Sequence, residues 1–136
     1  MAGRPLAVVT GASTGIGREL ARIAAEDGCD PIIAADEPEI DAAAQELRGS
    51  GADVVAVEPD LGTAGGVEKL WQALEGRHLD YMLANAGRGL GHAFLDQDED
   101  DIESLIHLNV TGTTAILHRA ARKMRDQGEG RILVTG

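Results

Sequence analysis

A glycine-rich turn between an apolar run and an amphipathic segment constrains the fold of this chain most. Residues 6–9 are short, apolar and partly β-branched, and they lead into T-G-A-S-T-G-I-G at residues 10–17. After the turn, apolar residues recur at helical spacing and charged residues occupy the opposite face. The pattern predicts a buried strand, a glycine turn and a helix that begins directly after the turn.

This turn is a candidate anion-binding site. The first amide groups of a helix have no partner within the helix, and they point outward at the positive end of its dipole. Glycine lets the backbone approach a phosphate closely, where a β-carbon would block it. The predicted pyrophosphate-binding residues are Gly11, Ser13, Thr14, Gly15, Ile16 and Gly17. The alternative interpretation is a tight connection between strand and helix that binds nothing.

The rest of the chain alternates short apolar runs with helical patterns. Strands are predicted at residues 31–35, 54–57, 80–84 and 131–135, and helices at 40–47, 63–76 and 98–127. Short apolar strands joined by helices indicate a parallel sheet with both faces covered, and right-handed crossovers make it doubly wound. We therefore predict a three-layer α/β fold, with residues 1–136 as one domain.

Charge and composition disfavour several classes of partner. The net charge of −11 repels the phosphate backbone of nucleic acid and anionic membrane surfaces. No apolar run in these residues reaches the length that spans a bilayer. Cys29 is the single cysteine, so no internal disulfide is possible, and we interpret it as a packing residue. We expect a cytoplasmic protein that binds small molecules.

Three later motifs, read with the glycine spacing, resemble those of the short-chain dehydrogenase/reductase family. That family uses T-G-x-x-x-G-x-G in its turn, and the chain has the later motifs in the family's order: Asp60-Leu61, Asn85-Ala86-Gly87, and Asn109 within L-N-V-T-G. The resemblance covers the whole chain and implies a Rossmann fold and an NAD(P)-dependent oxidoreductase. It also implies that Asp60 contacts adenine, that Asn85 fixes a loop beside the ribose, and that Asn109 holds a water in the proton relay.

Each of these motifs has a structural alternative. Asp60 can cap a helix near Thr63, and residues 85–87 can form a plain turn. Asn109 falls on an apolar helical stripe, where a polar amide needs hydrogen-bond partners. That stripe comprises Ile102, Leu105, Ile106, Asn109, Ile116 and Ala120. A satisfied structural asparagine that kinks the helix is the alternative to the catalytic role.

The cofactor prediction depends on the end of the second strand. Asp36 and Glu37 follow that strand, and an acidic side chain there can bind the ribose hydroxyls and repel a 2′-phosphate. No basic residue lies near them in the sequence. Thr14 stands where family members that select the phosphate often carry Arg or Lys. The sequence therefore favours NAD over NADP.

The family's catalytic Ser and Tyr-x-x-x-Lys are missing from these residues. The single tyrosine, Tyr81, belongs to a predicted strand, and V-T-G at residues 134–136 resembles the strand that leads into the serine. The expectation is an amino-terminal, cofactor-binding part that is itself inactive, with an open hydrophobic edge on its last strand. A non-catalytic nucleotide-binding module and a fragment that binds nothing stably stay open as alternatives.

The resemblance also implies a homo-oligomer in a full-length parent, because family members form dimers or tetramers. The predicted long helix offers an apolar face for such an interface, although core packing explains its residues equally well. That face comprises Ile116, Leu117, Ala121 and Met124.

Overall fold

Parallel strands form one five-stranded sheet in the computed structural model, which describes residues 3–136. The strands are β1 (Leu6–Thr10), β2 (Asp30–Ala34), β3 (Val55–Val57), β4 (Tyr81–Ala84) and β5 (Arg131–Val134). The α-helices are α1 (Gly15–Glu26), α2 (Glu39–Arg48), α3 (Ala64–Gln72), α4 (Glu99–Ile106) and α5 (Thr113–Gln127). The strand order β3-β2-β1-β4-β5 confirms the predicted doubly wound, three-layer α/β fold.

Alternate residues of the central strand supply two separate apolar layers. Val8 pairs in register with Ile32 of β2 and Met82 of β4, and this layer packs against α3 and α5. Val9 lies on the opposite face, where it packs with Ile33 against α1 and α2. Side chains of a strand alternate between faces, so one short run serves both layers.

The predicted helix over residues 98–127 is interrupted. A π-helical segment, His107–Gly112, separates α4 from α5. Gly112 is buried against the loop after β3, and a β-carbon there would overlap the carbonyl oxygen of Leu61. The hydroxyl of Thr113 donates to the carbonyl oxygen of Leu108, 3.3 Å away and five residues earlier in the chain. Wider turns of this kind are frequent at functional sites.

The prediction of one inward apolar stripe was wrong for the first half of this region. Ile106 is 47% exposed, and Ile102 and Leu105 are only partly buried, whereas Ile116 and Ala120 of α5 are buried. Helix α5 therefore covers the core on this face of the sheet. Helix α4 contributes no buried residue to that core.

The expected interface face of α5 and the expected open edge at β5 differ in accessibility. Ile116 and Met124 of α5 pack in the core and are unavailable for an interface, whereas Ala121 is exposed and Leu117 is partly buried. Strand β5 pairs only with β4 in the described residues, and all four of its residues are exposed. The expected open edge is therefore present at β5.

Two further expectations concern helices and the cysteine. Each helix within residues 3–136 is too short or too polar to cross a bilayer. Cys29 is buried, and burial, followed by the charges of Asp80 and Asp27, raises the pKa of its thiol. A neutral buried thiol fits the predicted packing role.

Adjacent glycines in α3 provide a test of backbone packing. Alanine at Gly66 should lower the free energy of unfolding by roughly 1–3 kcal/mol or more, because its β-carbon would overlap the carbonyl oxygen of Asp60. Alanine at Gly65 meets open space among the described residues and should raise it by about 0.5–1 kcal/mol through helix propensity. Urea denaturation of both variants measures the difference, and equal effects would contradict this packing.

Candidate functional site

A cavity of about 480 Å³ opens at the carboxyl ends of the strands. Its volume lies within the range of about 300–1,000 Å³ that is usual for ligand sites. Chain order reverses at this point of the sheet, because β1 has β2 on one side and β4 on the other. The predicted site residues that line it are Gly11, Ser13, Thr14, Ile16, Asp36, Leu61, Asn85, Ala86 and Gly87. Further lining residues are Ala35, Glu37, Pro59, Arg88 and Leu108.

The backbone of the turn after β1 requires its glycines. Gly11 and Gly15 adopt positive φ angles of 64° and 60°, a region that disfavours residues with a β-carbon. A β-carbon at Gly17 would overlap the carbonyl oxygen of Gly11. Gly15 and Gly17 do not line the cavity; they are the first and third residues of α1, and they allow the helix to begin against the turn.

The amino terminus of α1 presents backbone donors beside this cavity. Thr14 is the N-cap residue in an extended conformation, and within residues 3–136 its side chain accepts no capping hydrogen bond. The first turn carries no acidic side chain either. The N–H groups at the positive end of the helix dipole are therefore left for an anionic ligand.

The hydroxyl of Thr10 joins the ends of the two strands that flank the cavity. It accepts hydrogen bonds from the backbone N–H groups of Asn85 (3.0 Å) and Ala86 (2.9 Å), and Thr10 is 1% exposed. Thr10 was not among the site residues predicted from the sequence. The available signal was a hydroxyl at the end of a buried apolar strand, directly before the first glycine.

The side-chain amide of Asn85 extends this connection to three strands. Its Nδ2 donates to the carbonyl oxygen of Gly11 (3.2 Å), and its Oδ1 accepts from the hydroxyl of Thr135 (2.6 Å). Gly11 follows β1, Asn85 follows β4 and Thr135 follows β5. Asn85 therefore links the ends of β1, β4 and β5 beside the cavity, and its role next to a bound ribose stays a prediction.

The lining of the cavity carries both signs of charge. Asp36 and Glu37 line it, and the hydroxyl of Ser13 lies 3.5 Å from Glu37 Oε1. Arg88 lines the same cavity. The sequence has no basic residue near the acidic pair, because Arg88 is distant along the chain and only the fold brings it to the same cavity.

Asp60 does not line the cavity of about 480 Å³. It lines a neighbouring cavity of about 430 Å³ together with Asp36 and Arg88, and its Oδ1 accepts a hydrogen bond from the N–H of Gly62 (3.0 Å). The cap of α3 is Thr63, whose hydroxyl oxygen accepts from the N–H of Gly66 at 3.0 Å, so the helix-cap interpretation of Asp60 is wrong. The contact between Asp60 and adenine stays a prediction.

Asn109 lies in the π-helical segment and lines neither of these two cavities. Its Oδ1 accepts from the N–H of Arg88 (3.0 Å), and its Nδ2 donates to the carbonyl oxygen of Arg88 (2.9 Å). The oxygen and the nitrogen of the Asn109 amide thus each have a hydrogen-bond partner. These two bonds connect the loop that carries Arg88 to the π-helical segment. The catalytic role of Asn109 stays a prediction.

Comparison with known proteins identifies the family. The model of the family described as short chain dehydrogenase matches residues 5–136. The chain belongs to this family. It is 34% identical over 131 residues to the oxidoreductase UcpA of Escherichia coli, covering 94% of this chain and 49% of UcpA. It is 36% identical over 132 residues to the L-rhamnose 1-dehydrogenase (NAD(P)(+)) of a Sphingomonas species, covering 93% of this chain and 52% of that protein.

Solved structures of the family have the same fold. A short-chain dehydrogenase from Sphingobium yanoikuyae, determined in complex with NADPH, is similar to this chain with a TM-score of 0.89 and 32% identity. The match covers 97% of this chain and 53% of that structure. The chain therefore spans about half the length of the curated relatives and solved structures it matches.

Replacing Thr10 tests the link between β1 and β4. Thr10→Val keeps the shape of threonine but leaves two partly buried N–H groups without their acceptor, so we expect the free energy of unfolding to fall by roughly 1–3 kcal/mol. Thr10→Ser keeps the hydroxyl and serves as the matched control, with a smaller loss. Chemical denaturation of both variants measures the two losses. Equal losses would show that the hydroxyl is not the stabilising group.

Proposed function

We propose that this chain is the cofactor-binding part of an NAD(P)-dependent oxidoreductase. The parent enzyme would transfer a hydride between nicotinamide and the carbon of a carbonyl or secondary alcohol. The observation that carries the proposal is the convergence of the glycine turn, the acidic pair and residues 85–87 on one cavity. Relatives in the family are named as oxidoreductases and dehydrogenases, which supports the reaction class.

The residues of the cavity fit a dinucleotide. A β-carbon at Gly17 would overlap the carbonyl oxygen of Gly11, so the helix can begin close to the turn only with glycine there. The backbone N–H groups of the first turn of α1 have no side-chain cap and suit a pyrophosphate. Asp36 would bind the adenosine ribose hydroxyls, Asp60 the adenine, and residues 85–87 would border the ribose. The nicotinamide supplies the hydride chemistry, and the protein supplies binding and orientation. In the parent enzyme, Asn109 would hold a water of the proton relay.

The charge of the cavity supports a preference for NAD. The carboxylates of Asp36 and Glu37 would repel the 2′-phosphate of NADP, whereas the guanidinium of Arg88 would attract it. Two acidic groups and one basic group line the cavity, so the balance of charge is negative. The rhamnose dehydrogenase is named for NAD(P)(+) and the Sphingobium enzyme was solved with NADPH, so relatives differ from the preference proposed here.

Calorimetric titration of the 136-residue chain tests the preference. We expect NAD to bind about tenfold or more tightly than NADP, and Asp36→Asn to reduce that ratio by removing a charge that opposes the 2′-phosphate. Asp41→Asn, on the exposed face of α2, is the matched control and should leave the ratio unchanged. Tighter binding of NADP would contradict the preference, and the lack of any dinucleotide binding would favour the non-binding fragment.

The 136-residue chain should show no turnover with alcohols or ketones. Its only tyrosine, Tyr81, lies at the amino end of β4, whereas the cavity is at the carboxyl ends of the strands. These residues contain no Tyr-x-x-x-Lys, so the family's general acid is missing from them. Following NADH absorbance with a panel of alcohols and ketones measures the rate. Activity above the rate without protein would overturn this assignment.

The partners proposed for the parent enzyme are a small alcohol or carbonyl compound and further copies of itself. We propose a cytoplasmic location, which the lone buried thiol of Cys29 supports, because the chain needs no oxidising compartment.

A homo-oligomer is proposed from the family alone. In α5, Ala121 is exposed, and Leu117 is only partly buried where it packs against the core, so both can contribute to such an interface.

A further inference from the structure

Three side chains that can bind a metal ion meet at the amino ends of β4 and β5. The cavity proposed for the cofactor lies at the opposite, carboxyl ends of the strands. The three residues are His78 and Asp80, which precede β4, and Glu129, which precedes β5. Nothing in the proposed cofactor chemistry uses them. We call these three residues the lower cluster.

The imidazole of the lower cluster lies between two carboxylates. His78 Nδ1 is 3.3 Å from Asp80 Oδ1, and His78 Nε2 is 3.3 Å from Glu129 Oε1. One ligand atom from each residue can be chosen so that all three lie within 4.8 Å of one another. Adjacent ligands of a four-coordinate Zn²⁺ with bonds of about 2.0–2.1 Å are about 3.3 Å apart. The two 3.3 Å contacts involve different ring nitrogens, and only one nitrogen can bind a given ion. Glu129 must therefore turn toward the nitrogen that Asp80 faces, which its 73% exposed side chain allows.

The backbone that carries these ligands is held in place. Leu79, between the first two ligands, is fully buried, and its N–H donates to Gln127 Oε1 (2.8 Å) while its carbonyl accepts from Gln127 Nε2 (2.9 Å). The same Nε2 also donates to the carbonyl oxygen of Glu129 at 3.2 Å. The amide of Gln127 thus fastens the loop of His78 and Asp80 to the turn of Glu129.

Asp80 itself is oriented by a further contact. Its Oδ2 accepts the N–H of Leu6 at 2.8 Å, which leaves Oδ1 directed at the imidazole. A carboxylate held by a hydrogen bond on one oxygen is a well-positioned ligand on the other. Preorganisation of this kind reduces the entropy that ion binding must overcome.

Neighbouring positive charges are engaged with other groups. A cavity of about 630 Å³ beside the cluster is also lined by Arg4 and Arg77. Arg4 pairs with Asp30 at 3.0 Å, and Arg77 donates to the carbonyl oxygens of Leu74 (3.0 Å) and Ala73 (3.2 Å). The lower cluster contains two carboxylates, whose negative charge a divalent cation would offset.

We propose that His78, Asp80 and Glu129 form a structural binding site for a divalent transition-metal ion of the Zn²⁺ class. One imidazole nitrogen and one oxygen from each carboxylate would bind the ion, and water would complete its shell. The imidazole favours Zn²⁺ over Mg²⁺ and Ca²⁺, which prefer oxygen ligands alone. The ion would cross-link the segments that enter β4 and β5, and it would stabilise the fold independently of any dinucleotide.

Calorimetric titration with ZnCl₂ tests the site on the 136-residue chain, purified without a histidine tag and stripped with a chelator. We expect one Zn²⁺ per chain and a thermal unfolding midpoint that rises with Zn²⁺ and falls back on chelation. His78→Ala and Glu129→Gln should each weaken binding tenfold or more and remove the rise in the midpoint. Mg²⁺ should not compete at equal concentration.

Two exposed positions give matched controls. His92→Ala and Glu103→Gln remove the same chemical groups elsewhere on the surface and should leave Zn²⁺ binding unchanged. Circular dichroism of the metal-free variants checks their folding, and the isosteric change at the exposed Glu129 is a test that does not depend on His78→Ala. The proposal is overturned if millimolar Zn²⁺ does not bind, or if binding persists unchanged in both ligand variants.

Discussion

The buried hydroxyl of Thr10 is the interaction on which the candidate site depends. By accepting the N–H groups of Asn85 and Ala86, it keeps the ends of β1 and β4 at a constant separation. The amide of Asn85 then reaches the turn at Gly11 and the hydroxyl of Thr135 after β5. These side-chain hydrogen bonds therefore hold together the strand ends that line the cavity, in a partly buried environment where an unsatisfied donor is costly.

Glycines mark the places where one backbone segment contacts another directly. Gly17 lies against the carbonyl of Gly11, Gly66 against that of Asp60, and Gly112 against that of Leu61. Each contact brings a helix to a loop at the carboxyl end of the sheet. The glycines of the first turn were recognised from their spacing. Gly66 and Gly112 carried no comparable signal, because their neighbours are distant in the chain or belong to a loop of irregular shape.

The sheet was predictable because buried parallel strands are short apolar runs between turn residues. For example, β2 was predicted at 31–35 and lies at Asp30–Ala34. The helical region after β4 was predicted less well. Periodicity indicates which face of a helix is apolar but not whether another element covers it, so Ile106 was expected in the core and is 47% exposed. Nor does helical spacing reveal the π-helical segment around Asn109, which ends at Gly112 where the backbone lies against Leu61.

The sequence by itself determined the alternation of strands and helices, the glycine turn and the family, since these depend on local patterns and motif spacing. Tertiary structure alone decided which charged groups share a site. It brought Arg88 to the cavity of Asp36, directed Asn109 at the backbone of Arg88, and placed Glu129 beside His78 and Asp80. Parallel strands align their ends regardless of distance along the chain. Residues far apart in sequence therefore meet at the carboxyl ends and at the amino ends of the strands.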